Sequence, residues 1–162
     1  MALICWDPFT VKDFLGMLIS IEVKGESFYA RMAEKAGDEK LKELLLFLAE
    51  EEKNHIKDIR RLAAGLAGDE EAGGKFCDED RVFIYSLIAE SPFHQMEPEE
   101  ALQKIGSARE ALEMALRFER DVILIFKELR DFVEPVHKAL MQQLIDQEKE
   151  HFNRLAHSYD RV

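Results

Sequence analysis

The stretch Leu144-Ile145-Asp146-Gln147-Glu148-Lys149-Glu150-His151-Phe152-Asn153-Arg154-Leu155 decides the fold, because it mixes apolar and charged residues at helical spacing. Leu144, Glu148, His151 and Leu155 fall on one face of a helix, since residues three and four apart stack along its axis. A carboxylate and an imidazole thus lie within an apolar stripe, where an unpaired ionised group is costly. A metal ion would compensate for them, and we expect other helices to supply its remaining ligands.

The composition is that of an all-α protein. Helix-forming Glu, Leu, Ala and Lys dominate the 162 residues, whereas there are only 8 Gly and 4 Pro. We predict a single domain over residues 1–162, because a chain of this length can bury one substantial core. The net charge of −11 argues against binding to nucleic acid or to anionic lipid.

The cysteines and the apolar runs predict a cytoplasmic protein. Cys5 and Cys77 form no CxxC pair, so they indicate neither a disulfide framework nor a zinc or iron–sulfur site, and we expect free thiols in a reducing compartment. The apolar start, Met1 to Trp6, is too short for a signal sequence and has no basic residue before it. No run approaches the ~18 apolar residues of a membrane span.

Apolar periodicity and helix-ending residues predict four long helices, at about residues 8–36, 39–64, 107–133 and 135–159. A tight Gly-Asp turn makes the first two an antiparallel hairpin. Ser107 and Glu110 form a candidate capping box, and Pro135 opens the last helix. Between them, residues 65–106 begin with a glycine-rich loop, form a short helix at 76–90, and then turn at Pro92 and Pro98. We predict an antiparallel four-helix bundle of two helix hairpins, joined by a long crossover with a short extra helix.

The two halves of the chain repeat each other. Each half has one helix with an inward Glu, followed by one with an inward Glu-x-x-His. Two such hairpins related by a pseudo-two-fold axis would bring four Glu and two His to the bundle centre. The matched pairs are Glu22 with Glu119 and Tyr29 with Phe126 at an offset of 97 residues, and Glu52 with Glu148 and His55 with His151 at an offset of 96.

This repeat predicts a site for two metal ions, because each His can serve one ion and carboxylates can bridge two. Carboxylate with imidazole suits iron or manganese, and zinc stays open. The alternative is a metal-free hydrogen-bond network, which leaves costly excess negative charge in the core. Glu134 and His137 have the same spacing but straddle Pro135 and have no counterpart, so we interpret them as structural. Glu26, one turn beyond Glu22, has no assigned role.

The sequence resembles the rubrerythrin branch of the ferritin-like superfamily. In ferritin-like di-iron bundles, Glu from two helices and Glu-x-x-His from two others hold two metal ions. The residues that carry the resemblance are Ile21-Glu22 with Phe28-Tyr29, LAEEEKNH at 48–55, FERD at 118–121 and DQEKEH at 146–151. The resemblance implies that Tyr29 is a hydrogen-bonding phenol beside the ligands of two iron ions. Those implied ligands are Glu22, Glu52, His55, Glu119, Glu148 and His151.

Two departures from that family pattern affect the expected activity. Full-length rubrerythrins usually add a rubredoxin domain with paired CxxC motifs, and these 162 residues contain none. We therefore expect electrons from a separate donor, such as a rubredoxin-like protein. Val122 and Ile123 follow Glu119 where rubrerythrins tend to carry a further Glu, so peroxidase-type ligand switching is not implied.

Three functions are compatible with this sequence. The first is a di-iron oxidoreductase, a peroxidase or oxidase that reduces hydrogen peroxide or oxygen. The second is a non-catalytic protein that binds, handles or senses iron, and the long crossover disfavours a storage shell. The third is a structural bundle in which the inward carboxylates only fix the helix register. We expect a homodimer, because exposed helix faces in such bundles often pair.

Overall fold

The computed structural model describes residues 10–66 and 77–161, and these residues form helices and no strand. The long helices are α1 (Val11–Lys35), α2 (Glu39–Gly65), α6 (Ala108–Arg130) and α7 (Pro135–Tyr159). Three shorter helices lie between α2 and α6: α3 (Asp78–Glu90), α4 (Pro92–Gln95) and α5 (Pro98–Lys104). The predicted all-α class is confirmed.

Short polar side chains begin the long helices. The Thr10 hydroxyl accepts from the Asp13 backbone N–H at 3.2 Å, and the Asp13 carboxylate accepts from the Thr10 N–H at 2.7 Å, which is a complete capping box. The predicted start at residue 8 lies outside the described residues. Ser107 accepts from the Glu110 N–H at 3.2 Å, but Glu110 itself accepts from the Gly106 N–H at 2.7 Å. The capping box predicted there is therefore only half formed.

The helix ends show how the two hairpins lie against each other. α1 packs along α2, α6 packs along α7, and the two pairs meet through contacts of α1 with α6 and of α2 with α7. Ala36, Asp38 and Ala108 line one cavity, so α6 begins at the end of the bundle where α1 ends. Asp38 and Ser158 line another, so α7 ends there too. The chain between α2 and α6 therefore crosses from one end of the bundle to the other.

The crossover has more helical structure than the sequence pattern predicts. We predicted one short helix followed by turns, whereas the structure has three helices between residues 77 and 106. Pro92 and Pro98 each occupy the first position of a helix, where the missing N–H and the fixed φ of proline are favourable. The predicted glycine-rich loop at Gly68, Gly73 and Gly74 lies outside the described residues, as does Phe76.

α1 and α6 pack closely beside the bundle centre. Phe93 of α4 is fully buried, with its ring centroid 4.9 Å from those of Phe28 and of Phe118. Gly25 allows the close approach, because an added Cβ would lie 2.6 Å from Cζ of Phe118. α1 and α6 therefore approach each other closely at Gly25, which lies between Glu22 and Tyr29.

The remaining general predictions concern the thiols and the membrane. Cys77 is free and exposed, whereas Cys5 lies outside the described residues. Within residues 10–66 and 77–161, no helix is both long and apolar enough to cross a membrane.

Candidate metal centre

All six predicted ligands lie in the buried interior of the bundle, near the middle of the four long helices. They are at most 2% exposed, although each carries an ionisable group. Apolar residues one turn away on the same helix face, such as Leu18, Leu48 and Leu144, are fully buried and bring these side chains inward. The buried set is Glu22, Glu52, His55, Glu119, Glu148 and His151.

Glu148 lies between the two imidazoles. Its Oε1 is 2.8 Å from Nδ1 of His55, and its Oε2 is 3.2 Å from Nδ1 of His151. His55 Nδ1 is also 3.1 Å from Oε2 of Glu52, and His151 Nδ1 is 3.8 Å from Oε2 of Glu119. The two rings stack with their centroids 5.1 Å apart. Both Nδ1 atoms therefore face the carboxylates.

The structure brings the two Glu-x-x-His motifs together. One candidate ligand atom from each of Glu52, His55, Glu148 and His151 lies within 4.8 Å of the others. Glu119 reaches this cluster through His151, while Glu22 lies beside it in the electrostatic field of Glu52 and Glu148. That these side chains bind metal stays a prediction, but their proximity is what the predicted repeat requires.

Tyr29 holds the carboxylate of Glu119. Its hydroxyl donates to Oε1 of Glu119 at 2.5 Å, across 90 residues of sequence. The phenol is fully buried, with its ring centroid 6.1 Å from that of Phe118. Burial, and then the negative charge of Glu119, raise the pKa of Tyr29 well above its usual value. The phenol is therefore a proton donor to Glu119 at neutral pH.

If all four of its carboxyl groups were ionised, the cluster would carry more negative charge than its two imidazoles can balance. Burial, and then the neighbouring carboxylates, raise the pKa of Glu22, Glu52 and Glu119 well above the usual value. Burial alone would lower the pKa of His55, but the Glu148 carboxylate beside it raises that pKa to about 9. Burial by itself would raise the pKa of Glu148, but the adjacent imidazoles hold this pKa well below its usual range.

The donor set fits a pair of divalent cations. Among the described residues, no hydroxyl, amide or imidazole donates a hydrogen bond to either oxygen of Glu22 or to Oε1 of Glu52, and these two carboxyl groups lie against each other. Buried polar atoms without partners are rare in folded proteins and require an explanation. Two divalent cations would balance the charge of four carboxylates and bind the unpartnered oxygens. Oxygen with imidazole nitrogen is the ligand chemistry of iron and manganese.

Residues 13–159 match the family model of rubrerythrin. The chain belongs to the rubrerythrin family. A crystal structure from Thermotoga maritima, whose description assigns it provisionally to the ferritin-like diiron-carboxylate proteins, is 28% identical with a TM-score of 0.72. The match covers 94% of this chain and 95% of that one. No curated protein matches. The family, the ferritin-like fold and the buried Glu and His cluster together indicate a di-metal site.

One residue near the cluster that the sequence pattern did not indicate is Phe47. Its ring stands edge-on to His151, with the centroids 6.2 Å apart, and is itself 37% exposed. The guanidinium of Arg154 lies over this ring at 4.4 Å from its centroid. Phe47 follows Leu45 by two residues and so falls outside the apolar register of α2. It separates His151 from solvent.

Other residues singled out in the sequence contribute no ligand to the cluster. Glu26 is half-buried, and its Oε1 lies 3.8 Å from Nζ of Lys53, which makes it a surface ion pair. His94 is exposed, and Glu134 is the exposed residue before α7. Val122 is fully buried, so the position one turn after Glu119 contributes packing and no carboxylate.

Proposed function

We propose that this chain is a di-iron carboxylate oxidoreductase that reduces hydrogen peroxide or oxygen with electrons from a separate donor. The observation that carries the proposal is the fully buried cluster of four carboxylates and two imidazoles, in which Glu22 has no hydrogen-bonding neighbour other than the carboxyl group of Glu52. A structural network would satisfy its own polar atoms, because an unpartnered buried carboxylate destabilises a fold.

Each group in the cluster has a chemical role in this proposal. His55 and His151 would each help to hold one ion, and Glu148, whose carboxylate lies between their Nδ1 atoms, would contribute to holding both. Glu52 is the counterpart of Glu148 in the repeat and would have the same role. Glu22 and Glu119 would each complete one position. When bound, two ferrous ions would supply the two electrons that, with two protons, reduce hydrogen peroxide to two waters.

The protein would contribute orientation, charge balance and exclusion of water. Tyr29 holds the Glu119 carboxylate by donating its phenolic proton to Oε1. Fully buried apolar residues such as Leu18, Leu48 and Leu144 keep bulk water from the cluster. The low effective dielectric constant there strengthens the attraction between carboxylates and cations.

The donor and the assembly belong to the same proposal. A small redox protein, such as a rubredoxin-like one, would return the two electrons consumed in each turnover. The reducing, cytoplasmic environment expected from the cysteines suits such a partner. We further propose a homodimer.

The second candidate function is non-catalytic iron binding, handling or sensing. The observation that favours it is the burial of the whole cluster, since His151 has the largest exposed fraction, 2%. A centre this closed would retain iron well and would admit a protein donor poorly.

The two functions differ in what happens after oxidation. Iron-loaded protein should be mixed with hydrogen peroxide without air, and peroxide loss should be followed with and without a chemical reductant. For the enzyme we expect oxidation of the bound iron, followed by repeated peroxide consumption that needs reductant and exceeds that of free iron at the same concentration. A single oxidation without turnover would contradict the enzyme and support iron handling.

The control for this experiment is Glu50→Gln, because Glu50 is an exposed residue that pairs with Lys53 on the same helix as Glu52. Glu52→Gln should lose peroxide consumption, whereas Glu50→Gln should retain it. Sizing in solution separates small assemblies from storage, since a monomer or dimer would contradict a storage shell.

A further inference from the structure

The two halves of the candidate centre are related by the repeat, but they differ in how they hold their outer carboxylates, which are Glu22 on α1 and Glu119 on α6. Glu119 accepts a hydrogen bond from Tyr29. Among the described residues, no hydroxyl, amide or imidazole donates to its counterpart Glu22, whose carboxyl group lies against that of Glu52. The repeat explains this difference, because the residue that matches Tyr29 is Phe126, which has no hydroxyl to donate.

The outer carboxylates belong to different positions in the centre. Oε2 of Glu119 lies 3.8 Å from Nδ1 of His151, so these two residues define one position. Applying the same repeat, Glu22 and His55 define the other, and the charge of His55 does act on Glu22. Glu148 lies within 3.2 Å of both imidazoles and is therefore common to the two positions.

A hydrogen bond to a ligating carboxylate fixes its orientation. Loss of such a partner typically lowers metal affinity by about 10–100-fold, because the free ligand must then be ordered when the ion binds. Tyr29 provides this for Glu119 before any ion is present. Phe126 is as fully buried as Tyr29, and it occupies the position in the repeat that corresponds to Tyr29.

We propose, on the premise of the di-metal centre proposed above, that its two positions are inequivalent: the Glu119–His151 position binds its ion more tightly than the Glu22–His55 position. The difference is about 10–100-fold. Tyr29 is the positioning residue that creates the difference. Glu22 is consequently the less constrained of the two carboxylates.

Cobalt(II) titration of metal-free protein, with a competing chelator and without air, measures the two affinities. Repulsion between two cations makes the second cobalt affinity weaker than the first even in a symmetric site. The decisive quantity is therefore the change in each affinity that a variant causes. Tyr29→Phe should weaken the tighter step by about 10–100-fold and bring the two steps together. Phe126→Tyr should strengthen the weaker step.

The matched control is Tyr159→Phe, because the Tyr159 hydroxyl also donates to a carboxylate, that of Glu113 at 2.7 Å, but on an exposed part of the molecule. Tyr159→Phe should leave both cobalt affinities unchanged, and thermal unfolding of the metal-free variants verifies that each is folded. Two cobalt ions bound with affinities that Tyr29→Phe does not alter would overturn the inequivalence and leave the proposed function standing. Folded wild-type protein that binds no cobalt would overturn both.

Discussion

Replacing Gly25 with Ala tests the close approach of α1 to α6 beside the candidate centre. The added Cβ would lie 2.6 Å from Cζ and 2.9 Å from Cε1 of Phe118, closer than carbon atoms pack. The Phe118 ring cannot easily yield, since it is fully buried and stands against the rings of Tyr29 and Phe93. The helices must therefore separate or the aromatic cluster must shift.

The magnitude follows from two opposing contributions. Ala in place of Gly within a helix stabilises the fold by about 0.5–1 kcal/mol, because the unfolded chain loses conformational freedom. Overpacking of a buried site costs about 1–3 kcal/mol. We expect Gly25→Ala to lower the free energy of unfolding by about 1 kcal/mol as the net result. The site should also lose metal affinity, because Phe118 precedes Glu119 directly.

Gly16→Ala is the matched control on the same helix, since no atom lies within 4 Å of a Cβ added at the exposed Gly16. It should gain the backbone contribution alone. The melting temperatures of the two variants should differ by about 5 °C, which calorimetry resolves easily. Equal stabilisation by both substitutions, with unchanged metal content, would refute tight packing of α1 on α6.

Three further predictions concern the charged cluster and its cover. Metal-free protein should lose up to about 3 kcal/mol of stability as the pH rises from 6.5 to 9. The pKa of His55 is about 9 in the folded state and lower in the unfolded chain, so its protonation stabilises the fold at low pH, and this stabilisation is lost as the proton dissociates. Denaturant unfolding in the presence of a chelator measures this loss. Glu52→Gln should reduce metal content below two ions per chain, while making metal-free protein at pH 9 more stable by about 1–4 kcal/mol, as repulsion is relieved. Phe47→Ala should accelerate removal of bound metal by a chelator several-fold, because the ring covers His151.

Each of these predictions has an outcome that would contradict it. A pH dependence unchanged in His55→Gln would mean that His55 does not carry the effect, and metal-loaded protein should have little dependence because the cations replace the proton. Glu50→Gln should retain full metal content, and equal losses in both Glu variants would indicate a general surface effect. Leu46→Ala removes an even more exposed side chain, 51% exposed, beside Phe47, so equal acceleration in both would contradict a specific cover.

The four long helices and the buried register of the site were predictable from the sequence. Apolar residues recur every three or four positions in each helix, and a Glu or Glu-x-x-His occurs at the same spacing, so its burial follows from the periodicity. The repeat made the prediction stronger, because two halves with the same pattern place Glu52 and Glu148 in equivalent environments.

The short helices and the contacts between distant residues were not predictable in the same way. α4 and α5 begin at Pro92 and Pro98, and a proline that begins a short helix looks the same in sequence as one in a turn. The Tyr29–Glu119 hydrogen bond spans 90 residues and depends on the distance between helices, which periodicity does not specify. Phe47 covers His151 for the same reason.

Metal content per chain, measured on folded protein purified without air, tests the di-metal centre most directly. We predict two ions per chain, principally iron, which are lost on chelation and restored when ferrous iron is supplied. A folded protein with almost no metal, which takes up neither iron nor manganese, would contradict the centre and leave a helical bundle with an uncompensated acidic core.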